Sequence, residues 1–342
     1  MLKRTLELRT SPHVHSGTSV EAIMFHVALA LTPACLFAVF HFGLAALSVL
    51  TVAVVACLGT EQAICRFAGR ATTIGDGAAL VTGLLLGMTL PPSLPLWMVA
   101  LGGVVAVAAG KTMFGGLGAN PFNPALVGRA FLQAAFPLAM THWPAPPADR
   151  FVRTHASTLA WPLMRPDGGP AADGISGPTA LGQWKAEGTL MPLSDLFLGT
   201  VPGCVGETST LLLLLGGLYL IARRMMNWRI PLAILGTVAV GCLVLDRVGP
   251  DRTFDPWAML CSGGLMLGAM FMATDMVTSP ITAVGCVLYG ILIGVLVVVI
   301  RAWGGMPEGV MYAILLGNAA SPLIDRWIQP RTFGSPVGEA VP

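Results

Sequence analysis

Arg129 lies inside an apolar stretch, Gly128-Arg129-Ala130-Phe131. A guanidinium in a lipid-like setting is costly, so it pairs with an anion, lines a cavity or snorkels to an interface. The chemistry open to it is contact with a phosphate or with the charged edge of a cofactor. Asp275, in Ala273-Thr274-Asp275, would serve an ion path or cap the helix that follows, and the cap is the favoured reading. Asp173-Gly174-Ile175-Ser176-Gly177-Pro178-Thr179 places one carboxylate and two hydroxyls in a single segment. Taken alone, Asp-Gly and Ser-Gly-Pro are turn signals. Asn120 and Asn123 flank prolines and read as turn chemistry at a helix start, facing a cofactor in the functional reading. Glu61 reads as a boundary charge, and His13 and His15, with no further ligand nearby, as surface residues. The cysteines, at 35, 57, 65, 204, 242, 261 and 286, have no C-x-x-C or other cluster spacing. That excludes an iron–sulfur or zinc site built by this chain alone, and a disulfide framework.

The elements that position these residues are set by composition. Of 342 residues, 55% are hydrophobic and 11% charged, against about 25% charged in a soluble domain. Mean hydropathy is +0.76. No Asp, Glu, Lys or Arg occurs from Ala22 to Thr60, from Gly77 to Gly110 or from Met276 to Ile300. A helix needs about 20 apolar residues to span a bilayer, and lipid forces such segments to be helical. The chain therefore reads as an all-α polytopic membrane protein. The net charge of +2 and the lack of a Lys/Arg run exclude a nucleic-acid partner and leave the bilayer as main solvent. About twenty mostly polar residues precede the first apolar run, which is too long for a signal-peptide core, so the first helix is expected to be a retained anchor.

Ten spans are expected, at about 21–42, 44–65, 77–91, 94–112, 124–140, 208–222, 229–246, 256–274, 281–300 and 307–325. They divide the chain into a segment 1–20, a five-helix repeat 21–140, a long polar loop 141–207, a second five-helix repeat 208–325 and a tail 326–342. The third span holds Gly83-Leu-Leu-Leu-Gly87 and ends in Leu90-Pro91-Pro92. The eighth holds Gly264-Leu-Met-Leu-Gly268 and ends in Asp275-Met-Val-Thr-Ser279-Pro280. Five spans per unit is an odd number, so tandem units have opposite topology. Inverted repeats with broken helices are a transporter-type architecture, with the site near the repeat interface. The Lys and Arg residues of the short loops put both termini in the cytoplasm and 141–207 on the opposite face.

Several stretches carry a resemblance over nearly the whole chain. They are Ser11-Pro12-His13-Val14-His15, Leu90-Pro91-Pro92, Asn120-Pro121-Phe122-Asn123-Pro124-Ala125-Leu126-Val127-Gly128, Val201-Pro202-Gly203-Cys204-Val205-Gly206-Glu207-Thr208 and Phe271-Met272-Ala273-Thr274-Asp275. With them the sequence resembles a family of membrane subunits. That family includes the D component of the Rnf electron-transport complex and, more distantly, the B component of the sodium-translocating NADH:quinone reductase. The resemblance implies electron transfer between ferredoxin and NAD coupled to ion movement. It also implies a bacterial inner membrane with loop 141–207 in the periplasm, and other subunits as partners.

The resemblance further implies FMN joined through a phosphodiester to Thr179, with Asp173 and Ser176 in the motif that a flavin transferase recognises and Ser176 as the competing acceptor; the functional reading of Arg129 is then contact with the flavin phosphate. Pro178 stands where the family usually has alanine, which fixes φ and removes an N–H. A second, non-covalent flavin between the helices is also allowed. NAD and iron–sulfur binding would then belong to partner subunits. The short segment before the first span favours the Rnf component over its counterpart in the quinone reductase. A flavin-free channel or transporter is the alternative that the repeat architecture alone would suit, and a flavin-free structural anchor is a third reading.

Overall fold

The first uncharged run folds as two long helices, α1 (Val20–Phe42) and α2 (Leu44–Phe67), which turn at Gly43 with φ 70. Ser19 caps α1 by accepting from Ala22 N at 3.2 Å. The chain is represented by a computed structural model that describes residues 19–143, 151, 156–162, 179–207, 209–248, 255–305 and 308–330. All regular elements among these residues are helical. Large apolar side chains stay exposed on the outer faces, among them Phe25, Leu36, Val55 and Leu232. Such faces are stable against lipid, where backbone polar groups are satisfied inside each helix.

Helix α3 (Ala78–Met88) is short. It starts where Asp76 Oδ1 accepts from Ala78 N at 2.8 Å and ends before Pro91 and Pro92, which cannot continue a hydrogen-bonded helix. Helices α4 (Leu96–Ala108) and α5 (Pro124–Ala135) complete the first half, and Phe136 breaks α5 from the single turn α6 (Pro137–Met140). Two short helices follow, α7 (Ala180–Glu187) and α8 (Leu193–Leu198). The second half runs through α9 (Thr210–Ala222), α10 (Arg229–Val248), α11 (Pro256–Cys261), α12 (Leu265–Leu267), α13 (Ala283–Trp303) and α14 (Val310–Trp327). Five described helices are long and apolar enough to cross a membrane; Ala78–Met88 and Thr210–Ala222 are shorter apolar helices.

The two halves repeat one packing pattern. Helix α2 lies along α4 as α10 lies along α13, and α4 meets α5 as α13 meets α14. In both long pairs a glycine permits close approach: a Cβ on Gly103 would lie 2.8 Å from Ala56 Cβ, and one on Gly290 would lie 2.9 Å from the Ile230 carbonyl oxygen. The eighth expected span is not continuous. It stops at Ser262, turns through Gly263 with φ 64, and resumes as α12 running into a π turn, Gly268–Met272. Cys261-Ser262-Gly263-Gly264 ends α11 because small residues there permit the turn.

Both breaks are filled by distant segments. Val205 N donates to the Leu90 carbonyl at 3.0 Å and Ser157 Oγ to the Ser93 carbonyl at 2.9 Å, so pieces of the long loop satisfy the backbone after α3. Asn123 caps α5 by accepting from Ala125 N at 3.0 Å, while its Nδ2 donates to the Met272 carbonyl of the π turn at 3.2 Å. One side chain thus starts a helix in the first half and satisfies the broken backbone of the second.

Candidate functional site

Arg129 lies one and a half turns into α5 and is 9% exposed. Its NH2 donates to Glu308 Oε2 at 2.7 Å and lies 3.7 Å from Cys204 Sγ. Of the three readings of this arginine, pairing with an anion and lining a cavity both hold. The anion comes from the other half of the chain, immediately before α14. The two side chains are 11% and 16% exposed, which places the pair in a region where losing one partner is far costlier than losing both.

The pair borders a cavity of about 780 Å³, counting the open space at its mouth, whose wall includes Met88, Thr89, Trp143, Gly264 and Met272. The ends of both broken helices therefore meet here. The π turn has a second cavity beside it, of about 750 Å³, lined by Lys111, Asn120, Asn123, Phe271 and Asp275.

Thr179 caps α7, its hydroxyl accepting from Gly182 N at 3.1 Å, and is 5% exposed. Helix α7 is held in place by Trp184 and Leu181, both buried in the main core, and by Lys185, which donates to the Gly304 carbonyl. A Cβ on Gly263 would lie 2.8 Å from Leu181 Cδ1, the mobile end of a side chain, so it is the positive φ of the turn after α11 that calls for glycine. A small hollow at the start of α7 is lined by Thr179, Leu181, Pro202, Cys261, Gly263 and Glu308. Glu308 belongs to this hollow and to the Arg129 cavity alike. Its Oε1 has no hydrogen-bond partner among the described residues.

A phosphate ester on Thr179 would meet the first N–H groups of α7 on one side and the Glu308 carboxylate, the one charged side chain in the described lining of the hollow, on the other. The first N–H groups of a helix and its dipole favour an anion. An ester oxygen is still an acceptor, so the Gly182 contact is compatible with it. Asp173 and Ser176 lie outside the described residues, as do His13 and His15.

Three residues stand differently from the reading of the sequence. Glu61 is more than an unremarkable charge: it is 1% exposed, and Lys111 Nζ lies 2.7 Å from its Oε1, which Thr73 also approaches. Asp76 flanks the same ammonium at 3.6 Å. Asp275 accepts from Val277 N at 3.3 Å inside the break, and the cap of α13 is Thr282, which accepts from Gly285 N. Glu308 carries no local mark of its role. The signal that points to it is the need of a buried arginine for a carboxylate, with Glu308 the acid that precedes the last apolar run.

Fold and site together define a polytopic helical membrane protein whose two similar halves enclose a cavity bearing one inter-half ion pair. The chain belongs to the NQR2, RnfD, RnfE family, whose profile matches residues 7–334. It is 44% identical over 333 residues to the D component of a proton-translocating ferredoxin:NAD(+) oxidoreductase complex from Clostridium ljungdahlii, covering 97% of each chain. It is 40% identical to the D component of a Na(+)-translocating ferredoxin:NAD(+) oxidoreductase complex from Acetobacterium woodii, covering 98% of this chain and 97% of the other. With the D component of an ion-translocating oxidoreductase complex from Stutzerimonas stutzeri it shares 42% over 93% of each.

Proposed function

We propose that this chain is the membrane flavoprotein subunit of an Rnf-type complex, which transfers electrons between ferredoxin and NAD and couples that transfer to ion translocation, and that it carries FMN on Thr179. The observation that carries the reading is the placement of Thr179. Its hydroxyl sits at the start of a helix anchored by Leu181, Trp184 and Lys185, in a hollow that shares Glu308 with the Arg129 cavity. Near-full-length similarity to three such D components supports the complex. The flavin supplies the redox chemistry, and this chain supplies position and electrostatics.

Asp173 and Ser176 shape the segment presented to a flavin transferase, and Arg129 faces the flavin's negative charge. Other subunits of the complex supply the NAD and iron–sulfur sites. The halves 21–140 and 208–325 are inverted repeats. The chain lies in a bacterial inner membrane with both termini cytoplasmic and loop 141–207 periplasmic, as the Lys and Arg distribution of the short loops supports. A second, non-covalent flavin between the helices belongs to the same reading. Relatives of similar identity are named for protons and for sodium, so the coupling ion is set by local differences rather than by membership of the family.

The test is mass spectrometry of the purified chain co-expressed with its transferase. An FMN adduct on the peptide containing Thr179 is the expected result. An unmodified peptide, or an adduct only on Ser176, contradicts the assignment.

A further inference from the structure

Between Glu207 and Asp246 the chain carries three charges, and all are arginines at one turn: Arg223 and Arg224 at the end of α9 and Arg229 at the start of α10. The helices on either side expose Leu218 and Leu232, faces suited to lipid, so the turn lies at an edge of the bilayer. Arg223 is held in place. Its NH2 donates to His26 Nε2 at 3.3 Å, which leaves the hydrogen of that ring on Nδ1 to be donated to the Tyr219 hydroxyl at 2.7 Å. Arg229 lies over the exposed Trp228 ring, 5.1 Å from its centroid. Asn227 fixes the turn between them, accepting from Arg229 N at 3.2 Å and donating to Cys286 Sγ of α13. No Asp or Glu pairs with any of the three arginines among the described residues.

Arg224 is the unusual member. Its N–H donates to the Ile221 carbonyl at 2.9 Å and the Met225 N–H to the Leu220 carbonyl at 3.0 Å, a helix-closing motif whose left-handed position favours glycine. Arg224 holds that position with φ 57, the only non-glycine residue with positive φ among the described residues. Its side chain is exposed and makes no hydrogen bond or ion pair there. No interaction within the described chain offsets the backbone cost. Three guanidinium groups without a carboxylate, above an apolar helix surface, match a phosphate that carries acyl chains. The guanidinium forks suit phosphate oxygens, and the chains lie against the apolar faces. We propose that the turn Arg223–Arg229 is a binding site for the headgroup of an anionic phospholipid, independent of the flavin.

The experiment is a titration of the purified full chain, in neutral detergent, with dioleoyl-phosphatidylglycerol or dioleoyl-phosphatidylcholine, read by native mass spectrometry. Thermal unfolding is measured on the same samples. Wild type is expected to bind phosphatidylglycerol the more tightly. One arginine near a membrane surface contributes a factor of about five, so Arg224→Gly should weaken phosphatidylglycerol binding about fivefold and leave phosphatidylcholine binding unchanged. The same variant should unfold at a higher temperature without added lipid, because glycine fits the left-handed position. A chain that is more stable yet binds less does not have a folding defect. Arg223→Gln with Arg224→Gln and Arg229→Gln should erase the preference between the two lipids. Should that triple variant not accumulate, Arg224→Gly carries the test alone. Equal affinity of wild type for the two lipids, or unchanged phosphatidylglycerol binding in Arg224→Gly, overturns the proposal. So does displacement of the lipid by inorganic phosphate at equal concentration, which would mark a free-anion site instead.

Discussion

Arg129 of α5 and Glu308 before α14 meet at 2.7 Å across 179 positions of sequence, and so tie the two halves of the chain together at the cavity between them. Breaking a buried pair from one side costs about 3–5 kcal/mol, whereas replacing both partners by apolar groups is often neutral. Arg129→Met is therefore expected to lower the thermal unfolding midpoint of the detergent-solubilised chain sharply, and Arg129→Met with Glu308→Leu to restore most of it. Equal losses in the single and double variants would show that the pair does not act as a unit.

Thr179 has two duties that a single substitution separates. Thr179→Asn keeps a neutral N-cap acceptor for Gly182 N, so stability should stay within about 0.5 kcal/mol of wild type, while no hydroxyl remains to carry a phosphoester. Thermal unfolding and flavin content, measured on the same sample, are expected to diverge: the first unchanged, the second absent.

Gly263 joins the turn after α11 to the floor of α7. Its φ of 64 opposes a side chain, and a Cβ there would displace Leu181 Cδ1, now 2.8 Å away. Gly263→Ala is predicted to destabilise by more than about 1 kcal/mol and to lower flavin occupancy at Thr179 when expression is matched. Full occupancy with unchanged stability would mean that α7 does not rest on this turn.

The charged cluster of the first half predicts an ordering. Lys111 neutralises Glu61 at 2.7 Å and faces Asp76 at 3.6 Å. Lys111→Met strands two carboxylates, whereas Glu61→Gln leaves the ammonium with Asp76. Lys111→Met is expected to be the more destabilising by at least about 1 kcal/mol, since an uncompensated buried charge costs more than a lost neutral contact. The opposite order in thermal unfolding would contradict the pairing.

Local signals in the sequence are enough for much of this architecture. The uncharged run from Ala22 to Thr60 yields α1 and α2 with the turn at Gly43, near the expected Phe42-Gly43. Pro91 and Pro92 end α3, and Asn123 starts α5. The span expected over 256–274 is where periodicity misleads, because its apolar residues continue through a break made by Ser262 and Gly263. Glu61 and Glu308 are legible as charges but not as partners, since a hydropathy pattern is local and their cations lie 50 and 179 positions away. Thr179 is legible only through resemblance, as its own surroundings read as a turn.

The covalent flavin is tested most directly by in-gel fluorescence of the denatured chain, co-expressed with its transferase, for wild type, Thr179→Ala and Ser176→Ala. Fluorescence that survives denaturation in wild type and Ser176→Ala and is lost in Thr179→Ala is the predicted result. A wild-type band without fluorescence, or a Thr179→Ala band that keeps it, would contradict the account.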